Sequence, residues 1–239
     1  ELGVIFVNTF ISALLFRLGN VKKNIGYNRE GRGFLLDFSP EINYHKHYIN
    51  RYAFLFNEYI GNKYVYLPEL SLRHTGQKTF QFDNSHKTIA LYLGGENKEF
   101  RKYPDEYAVQ LLRLLNRQGY NLLLIGDEND NIKHTQYAEE ARIDHLINLT
   151  ARTTIEGFIN TIANVDLIIT IDSSALHIAA AVKTPFIALM GLSTSPTSTI
   201  LPKVPLGRIL KIENNLIREE DYIRNITPDL ILKTISELI

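Results

Sequence analysis

Residues 166–191, DLIITIDSSALHIAAAVKTPFIALMG, constrain the fold more than any other stretch of the sequence. An apolar run at 167–171 is followed by the polar turn Asp172–Ser174, a small-residue helix and a second apolar run. Continuous apolar strands joined through a helix are typical of a parallel sheet that is covered on both faces. Free backbone N–H groups at the start of such a helix attract phosphates, so we predict an anion site at this turn, beside His177.

The composition narrows the class of protein. The 239 residues carry 26 Lys and Arg against 26 Asp and Glu, so no overall charge favours a nucleic-acid partner. No cysteine is present, which excludes disulfide frameworks, thiolate metal sites and a cysteine nucleophile. No apolar run approaches the roughly 20 residues that span a bilayer, and no signal peptide is visible, so we expect a soluble cytoplasmic protein. Because the sequence opens inside a core-type strand at Glu1, we also expect further chain before it.

Patterning divides the sequence into two α/β regions and a tail. Residues 1–80 predict a strand at 2–7, a helix after it, and an amphipathic helix over 44–60. The polar, aperiodic stretch 71–87 is predicted to be a linker.

Residues 88–210 predict the order β-α-β-α-β-α-β-α-β, which is a doubly wound parallel sheet. The tail, residues 219–239, predicts a final helix that is started by Thr227 and Pro228 and that returns toward the first region.

Three predicted loops at strand ends carry candidate ligand-binding groups. Gly94 and Gly95 allow close backbone approach to a ligand, and Arg101 and Lys102 follow within reach of a phosphate. The loop 126–130 follows the next strand, where a carboxylate can bind ribose hydroxyls. Taken singly, each segment has a better explanation without a ligand: the first loop is a flexible turn, the second is an acidic helix start, and His177 is a packed histidine. Since the carboxyl ends of parallel strands share one edge, the three loops converge, and this convergence favours a nucleotide site.

Two other classes of site find little support in the sequence. The glycines match neither the Walker loop nor the dinucleotide fingerprint. No metal site is predicted, because His45 and His47 do not share a helical face and no Asp-x-Asp motif occurs.

The ordered motifs resemble family 9 glycosyltransferases, the ADP-heptose:lipopolysaccharide heptosyltransferases, and among them the heptosyltransferase II branch. The motifs are GGENKEFRKYP after one strand, GDEND after the next, and the run from NLTARTT to ALMG. The resemblance covers nearly the whole chain. It implies a GT-B-type α/β architecture with two Rossmann-like doubly wound domains, the N-terminal one incomplete in this sequence.

The resemblance also implies roles for individual residues. Arg101 stands three residues before the Pro of the family's K-x-W-P motif and would contact the donor diphosphate. Asp130, with Glu128 as the alternative, would bind the ribose. The family's D-[ST]-G-x-x-H motif is similar to Asp172–Ser174 with His177. The predicted donor-binding residues are Gly94, Gly95, Glu96, Arg101, Lys102, Asp130, Asp172, Ser173, Ser174, His177 and Gly191.

Gly191 and the following Ser193–Pro196 resemble the family's G-P-T stretch. Three departures from the family pattern bear on the site. Ser174 replaces the family's Gly, where a Cβ would crowd the diphosphate or alter the backbone angle. Arg101 replaces the family's Lys, which keeps the charge but changes the geometry. The family's general base, an Asp near the first strand, has no counterpart here, so it is expected upstream of Glu1 and no catalytic residue is assigned.

The function implied by the resemblance is inverting, metal-independent transfer of a heptose or related sugar. The donor would be an ADP-sugar and the acceptor the lipopolysaccharide core, with no cofactor and no nucleic-acid partner. The enzyme would be cytoplasmic, and peripheral contact with the inner face of the inner membrane stays open. Two alternatives stand beside this one: a nucleotide-sugar binding protein without transferase activity, and a sugar-nucleotide epimerase, whose expected Asp/Glu/His set is not apparent.

Overall fold

The chain forms two compact units. The computed structural model describes residues 1–65, 70–191, 201–202, 204–212 and 218–239, and the side chains of residues 96, 97, 99, 219 and 220 lie outside that description. The first unit is Glu1–Glu69 with Ser195–Leu201, and the second is Leu70–Thr194 with Pro202–Ile239.

The first unit begins with a small parallel sheet. Strands β1 (Leu2–Ile5) and β2 (Lys23–Gly26) pair in parallel and are joined through helix α1 (Phe10–Leu18). Thr9 caps α1, because its side-chain oxygen accepts a hydrogen bond from the Ser12 N–H at 3.3 Å. This strand–turn–helix order agrees with the sequence prediction.

Helix α2 (Tyr48–Tyr59) lies inside the predicted 44–60 span and starts four residues later. His47 is its N-cap, with a ring nitrogen accepting from the Ile49 N–H at 3.3 Å. The other ring nitrogen lies 2.9 Å from the Leu201 carbonyl oxygen. The N-cap bond from the Ile49 N–H to His47 ends the helix at its N-terminus, so residues 44–46 lie outside it.

The second unit is built on a six-stranded sheet in which every pair is parallel, in the order β5-β4-β3-β6-β7-β8. The strands are β3 (Thr88–Tyr92), β4 (Asn121–Leu124), β5 (Leu146–Asn148), β6 (Leu167–Ile171), β7 (Phe186–Met190) and β8 (Gly207–Lys211). The helices are α3 (Asp105–Arg117), α4 (Asn131–Ala141), α5 (Ile155–Ala163), α6 (Ser174–Val182) and α7 (Pro228–Ile235). Three 3₁₀ segments also occur, Glu96–Arg101, Glu128–Asp130 and Glu219–Asn225.

The predicted fold class is confirmed. Every residue of β3, β4, β6 and β7 is buried, which means that the sheet is covered on both faces. Strand β8 is absent from the sequence prediction. It is an edge strand with half-exposed or exposed residues, and its sequence GRILK lacks the continuous apolar run of the central strands.

The final helix α7 starts as predicted, with the Thr227 side chain accepting from the Leu230 N–H and Pro228 in the first turn. The expectation that it returns toward the first region stays a prediction. The helix packs against α3 within the second unit, where Ile231 and Ile235 are fully buried. The Tyr103 hydroxyl donates to the Ile226 carbonyl at 2.9 Å and fixes the chain just before the helix.

The predicted linker contains neither helix nor strand, and it lies inside the second unit. Thr75 and Asn160 exchange two hydrogen bonds, at 3.1 and 2.9 Å, so the coil is held on α5. The Leu72 N–H donates to the Ala181 carbonyl at 3.2 Å on α6. These partners come 80 or more residues later in the sequence, so local composition could not predict the contacts.

Candidate functional site

The loops predicted to converge do so at one edge of the second sheet. Strand β3 lies between β4 and β6, and the chain runs outward to β5 on one side and to β8 on the other. The strand order therefore reverses between β3 and β6. In open parallel sheets, ligands bind in the crevice at the carboxyl ends of the strands where this reversal occurs.

Gly94 and Gly95 bring the loop after β3 against its two neighbours. Gly94 has φ +79°, and a Cβ there would lie 2.7 Å from the Ile171 Cδ1 at the end of β6. A Cβ on Gly95 would lie 2.5 Å from the Asn129 carbonyl oxygen and 2.7 Å from the Asp130 Cα. The two glycines thus permit contact between three loops of the protein itself, in addition to the predicted approach to a ligand.

Arg101 and Lys102 point to different partners. One guanidinium nitrogen of half-buried Arg101 lies 3.5 Å from the Asp172 carbonyl oxygen, so this cation is at the turn after β6. Lys102 instead pairs with Asp105 at 2.8 Å, at the start of α3. The structure therefore places Arg101 beside the strand reversal and holds Lys102 outside it, while the assignment of either residue to a phosphate stays a prediction.

The Asp105 carboxylate interacts with three donor side chains. Besides Lys102, it accepts hydrogen bonds from Lys133 at 3.0 Å and from the Tyr137 hydroxyl at 2.5 Å. Burial alone would raise the pKa of Asp105, but the hydrogen bonds from Lys102, Tyr137 and Lys133 outweigh it and lower the pKa to about 2. Asp105 is therefore a fixed anion that ties α3 to α4.

The loop after β4 forms a reciprocal cap. Asp127 accepts from the Asn129 N–H at 2.8 Å, and Asp130 accepts from the Asp127 N–H at 3.0 Å. Asp130 is fully buried, and its second carboxylate oxygen has no hydrogen-bond partner among the described residues. Glu128 is exposed. Of the two residues predicted for the ribose, the geometry favours Glu128, since a fully buried carboxylate cannot meet a ligand in this arrangement.

A cluster of Tyr92, Lys98 and Asp127 joins the loops after β3 and β4, and sequence reasoning missed it. Lys98 Nζ lies 3.1 Å from an Asp127 carboxylate oxygen and 5.7 Å from the centre of the Tyr92 ring. Burial alone would raise the pKa of Asp127, but the hydrogen bond from Lys98 helps to lower it. Burial and the nearby Asp130 and Asp127 raise the pKa of Tyr92, so its hydroxyl stays a donor. An acidic cap position directly after a strand was the available sequence signal.

The turn after β6 has the predicted helix-start geometry. Ser173 is the N-cap of α6, and its side chain accepts from the Ala175 N–H at 3.2 Å. Ser174 is exposed and is the first residue of the helix, with helical backbone angles, so this position does not require glycine. Half-buried His177 lies one turn further along α6.

Gly191 closes the edge after β7. A Cβ there would lie 2.6 Å from the Phe100 carbonyl oxygen and 3.1 Å from the Ile223 Cβ. The end of β7 is thereby packed against the segments Glu96–Arg101 and Glu219–Asn225. The predicted Ser193–Pro196 stretch and the Glu96 side chain lie outside the described residues.

In the first unit, a buried arginine organises the turn after β1. The fully buried Arg32 guanidinium donates to the Val7 and Thr9 carbonyl oxygens and to the Asn8 side chain, the last two at 3.1 and 3.0 Å. Its Nε donates to the Tyr27 carbonyl at 2.9 Å. The burial of Arg32 has no signal in the sequence, because it lies in a run of polar residues and glycines.

One cation and one helix start lie together at this edge, and the anion site predicted there stays a prediction. Arg101 and the start of α6 lie at the same edge of the sheet, at the strand reversal. The Ala175 N–H is bonded to the Ser173 side chain, so the helix start contributes chiefly the partial positive charge of its dipole. In the described parts of the chain there is no group of three or more His, Cys, Asp or Glu side chains that could hold a metal ion. Within the same residues, no helix has the length and apolar character needed to cross a membrane.

Comparison with known proteins identifies the family of this site. Residues 2–220 match glycosyltransferase family 9 (heptosyltransferase). The lipooligosaccharide heptosyltransferase 2 of Haemophilus influenzae is 26% identical over 265 residues, which cover 100% of this chain and 76% of that protein. The lipopolysaccharide heptosyltransferase 2 of Salmonella typhimurium is 23% identical over 263 residues, covering 97% of this chain and 73% of that protein.

Solved structures share the fold. The ADP-heptose lipopolysaccharide heptosyltransferase II of E. coli superposes with a TM-score of 0.82 at 22% identity, covering 100% of this chain and 76% of that chain. An E. coli heptosyltransferase solved with ADP gives 0.75 at 17% identity, covering 100% and 73%. The α/β fold with parallel sheets is thus that of the GT-B heptosyltransferases. Because the family match extends over most of the sequence, this chain belongs to glycosyltransferase family 9, the heptosyltransferases, and is a glycosyltransferase.

Proposed function

We propose that the protein transfers a heptose, or a closely related sugar, from an ADP-sugar to a lipopolysaccharide core acceptor with inversion at the anomeric carbon. The observation that carries this proposal is the position of Arg101 and the α6 start together at the strand reversal of the second sheet. The relatives named above are lipopolysaccharide or lipooligosaccharide heptosyltransferases, and one structure of the same fold was solved with ADP. These likenesses support the donor and acceptor classes.

In the proposed reaction, an acceptor hydroxyl attacks the anomeric carbon from the face opposite the diphosphate. A bond forms between that oxygen and the carbon, the bond from the carbon to the diphosphate oxygen breaks, and the hydroxyl proton passes to a carboxylate base. The family resemblance implies such a base, and no residue of this sequence is assigned to it.

The residues of this chain act on the leaving group. The diphosphate gains negative charge in the transition state, so positive groups placed there beforehand lower the barrier. Arg101 offers a planar fork of donors that matches a phosphate, and the α6 N–H groups near Ser173–Ala175 add a partial positive charge. This arrangement supports transfer that draws on protein groups in place of a divalent metal.

Two features of the sequence support the alternative, a nucleotide-sugar binder without transferase activity. One is the general base, to which no residue is assigned. The other is Ser174, which stands at the family's Gly position. Because Ser174 lies in a regular helix with its side chain exposed, it does not distort the backbone there. Family membership also weighs against a protein that only binds its nucleotide sugar.

The first test is Arg101→Ala, with ADP affinity measured by calorimetry and sugar transfer measured separately. Loss of a charge-assisted contact is expected to weaken ADP binding about tenfold or more. Arg101→Lys should lose less, because the charge stays and the fork is lost. Arg117→Ala is the matched control, since this exposed arginine lies at the far end of α3.

Unchanged ADP affinity in Arg101→Ala would contradict the assignment of the diphosphate to this edge. Full ADP binding by the unmodified protein without transfer to any core acceptor would instead favour the binder.

A further inference from the structure

A second cleft lies beside the end of the Glu96–Arg101 segment, and the function proposed above assigns no role to it. Its volume is about 380 Å³, and its walls are the start of α3 and the segment Glu219–Asn225. Its side chains include Phe100, Lys102, Glu106, Arg218, Asp221 and Arg224. Lys102 belongs both to this cleft and to the residues that the sequence predicted for the donor.

Among the described side chains of the cleft, the charges are balanced and arranged in pairs. Lys102 pairs with Asp105 at 2.8 Å. Arg218 pairs with Asp221 at 2.9 Å, and Arg224 pairs with Glu106 at 3.0 Å. Three cations beside three carboxylates do not favour an anion over a neutral molecule. They present alternating donors and acceptors, and this matches hydroxyl groups, each of which both donates and accepts.

An aromatic ring adds an apolar wall. Phe100 is 48% exposed although it is large and apolar, whereas Ile223, which also lines the cleft, is buried. The face of an aromatic ring carries partial negative charge, which attracts polarised C–H groups such as those on one face of a sugar ring. An open aromatic face with convergent polar groups fits a saccharide better than a purely polar or purely apolar ligand.

The cleft adjoins the donor edge through the backbone. The Phe100 carbonyl oxygen and the Ile223 Cβ both lie where a Cβ on Gly191 would meet them, at the carboxyl end of β7. The next residue, Arg101, reaches the Asp172 carbonyl oxygen at the strand reversal. Segment 100–102 therefore presents one side chain to the predicted diphosphate site and its two neighbours to the cleft.

We propose that this cleft is a saccharide subsite, in which a sugar ring stacks on Phe100 and hydrogen-bonds to the Glu106–Arg224 and Arg218–Asp221 pairs. The inference rests on the proposed transferase function, because that function supplies two sugars, one on the donor and one on the acceptor. The recognising chemistry is the same for both sugars.

The test uses Phe100→Ala and Glu106→Gln in the full chain. Steady-state transfer is measured with ADP-heptose and a delipidated core saccharide, each varied in turn, and ADP affinity is measured by calorimetry. The KM for one of the two sugar substrates is expected to rise about fivefold or more, because a sugar contact is lost. The ADP affinity is expected to stay unchanged. Phe100→Leu keeps the apolar bulk without the aromatic face and should behave like Phe100→Ala.

Ile132→Ala and Glu139→Gln are matched controls, because both side chains are exposed on α4 away from the cleft. Since Phe100 and Glu106 are themselves exposed, all variants should melt at the temperature of the unmodified protein. A rise in the acceptor KM places the acceptor sugar in the cleft, and a rise in the donor KM places the donor sugar there. Variants that match their controls in both KM values, or that weaken ADP itself, overturn the subsite.

Failure of the proposed function is distinguishable from failure of the subsite. If the unmodified protein transfers no sugar, calorimetric binding of the delipidated core saccharide and of ADP-heptose, each compared with ADP, tests the subsite. Binding of either sugar ligand that Phe100→Ala and Glu106→Gln both weaken, with ADP affinity unchanged, supports the subsite, whereas absent or unaltered binding of both ligands overturns it.

Discussion

At the scale of single residues, the environment of a carboxylate decides its role at this site. Asp127, Glu128 and Asp130 lie within one short loop after β4, yet each has a different environment. Asp130 is buried and caps the loop, Asp127 pairs with Lys98, and Glu128 is exposed. A carboxylate that already accepts backbone and lysine hydrogen bonds has fewer lone pairs for a ligand, so the exposed residue is the best candidate for the ribose.

We therefore expect Glu128→Gln to weaken ADP binding severalfold and to leave pyrophosphate binding unchanged, because pyrophosphate has no ribose. Asp130→Asn should instead lower the free energy of unfolding by about 1–2 kcal/mol, since it weakens a buried hydrogen bond to the backbone. Calorimetry with both ligands, together with urea unfolding, checks the pair. The reverse pattern, with Asp130→Asn stable and unable to bind ADP, would restore Asp130 to the ribose.

The sequence could assign an acidic residue to this loop but could not choose among three. Burial of Asp130 depends on Gly95, which lies 35 positions earlier and leaves room for the Asp130 backbone. Lys102 pairs with Asp105 only three residues later, but Asp105 is itself held by Lys133 and Tyr137 on α4. Gly95 and these partners on α4 come from distant parts of the chain, so local spacing cannot reveal them.

At the scale of elements, the loops after β3 and β4 are packed together with no spare volume. A Cβ on Gly95 would lie 2.5 Å from the Asn129 carbonyl oxygen, and backbone atoms cannot rotate away as a side chain can. Gly157 in α5 is the contrast, because the nearest atom to a Cβ there lies 3.4 Å away.

Opposite effects are expected for the two alanine substitutions. Gly95→Ala should lower the free energy of unfolding by about 1–3 kcal/mol through overpacking and should weaken ADP binding. Gly157→Ala should raise it by about 0.5–1 kcal/mol, because alanine favours a helix over glycine. Chemical denaturation of both variants measures the difference. Equal stability for the two would show that the loops yield at little cost.

Asp105 gives the packing of α3 on α4 a defined pH dependence. Its pKa falls from 3.8 to about 2 on folding, so the stabilisation is complete above about pH 4 and is lost as the pH falls through about 2. Conversion of the whole shift would give about 2 kcal/mol. Because the side chain is 39% exposed, solvent screening leaves about 1 kcal/mol.

Asp105→Asn should thus lower the free energy of unfolding by about 1 kcal/mol at pH 7, with a difference that shrinks toward pH 2. Thermal unfolding at several pH values should show a shift of roughly 2–4 °C at neutral pH. A difference that stayed constant down to pH 2 would mean that the carboxylate charge is not the cause.

At the scale of the whole molecule, the second unit has what an independent domain needs. Its six-stranded sheet has buried central strands, and α7 packs on α3 inside the same unit. The coil 70–87 is held on α5 and α6 by hydrogen bonds. The predicted donor-binding residues all belong to this unit.

A fragment of residues 70–239 is therefore expected to fold cooperatively and to bind ADP about as tightly as the full chain. Circular dichroism on heating and calorimetry with ADP test the two parts of this statement. A fragment that folds and fails to bind would assign part of the ADP site to the first unit. A fragment starting at residue 88, which lacks the coil, should be less stable.

The amino-acid sequence by itself determined the α/β class, the order along the chain of the strands before β8, and the edge of the sheet on which the candidate site lies. Long apolar runs and capped amphipathic helices are local features, and parallel pairing then forces the loops to one edge. The tertiary structure decided which side chains remain available to a ligand at the sheet edge that includes the turn Asp172–Ser174. In the folded protein Asp130 is buried, Lys102 pairs with Asp105, and Ser174 has an ordinary helical backbone. Availability depends on contacts between distant residues, and those contacts exist only once the chain has packed.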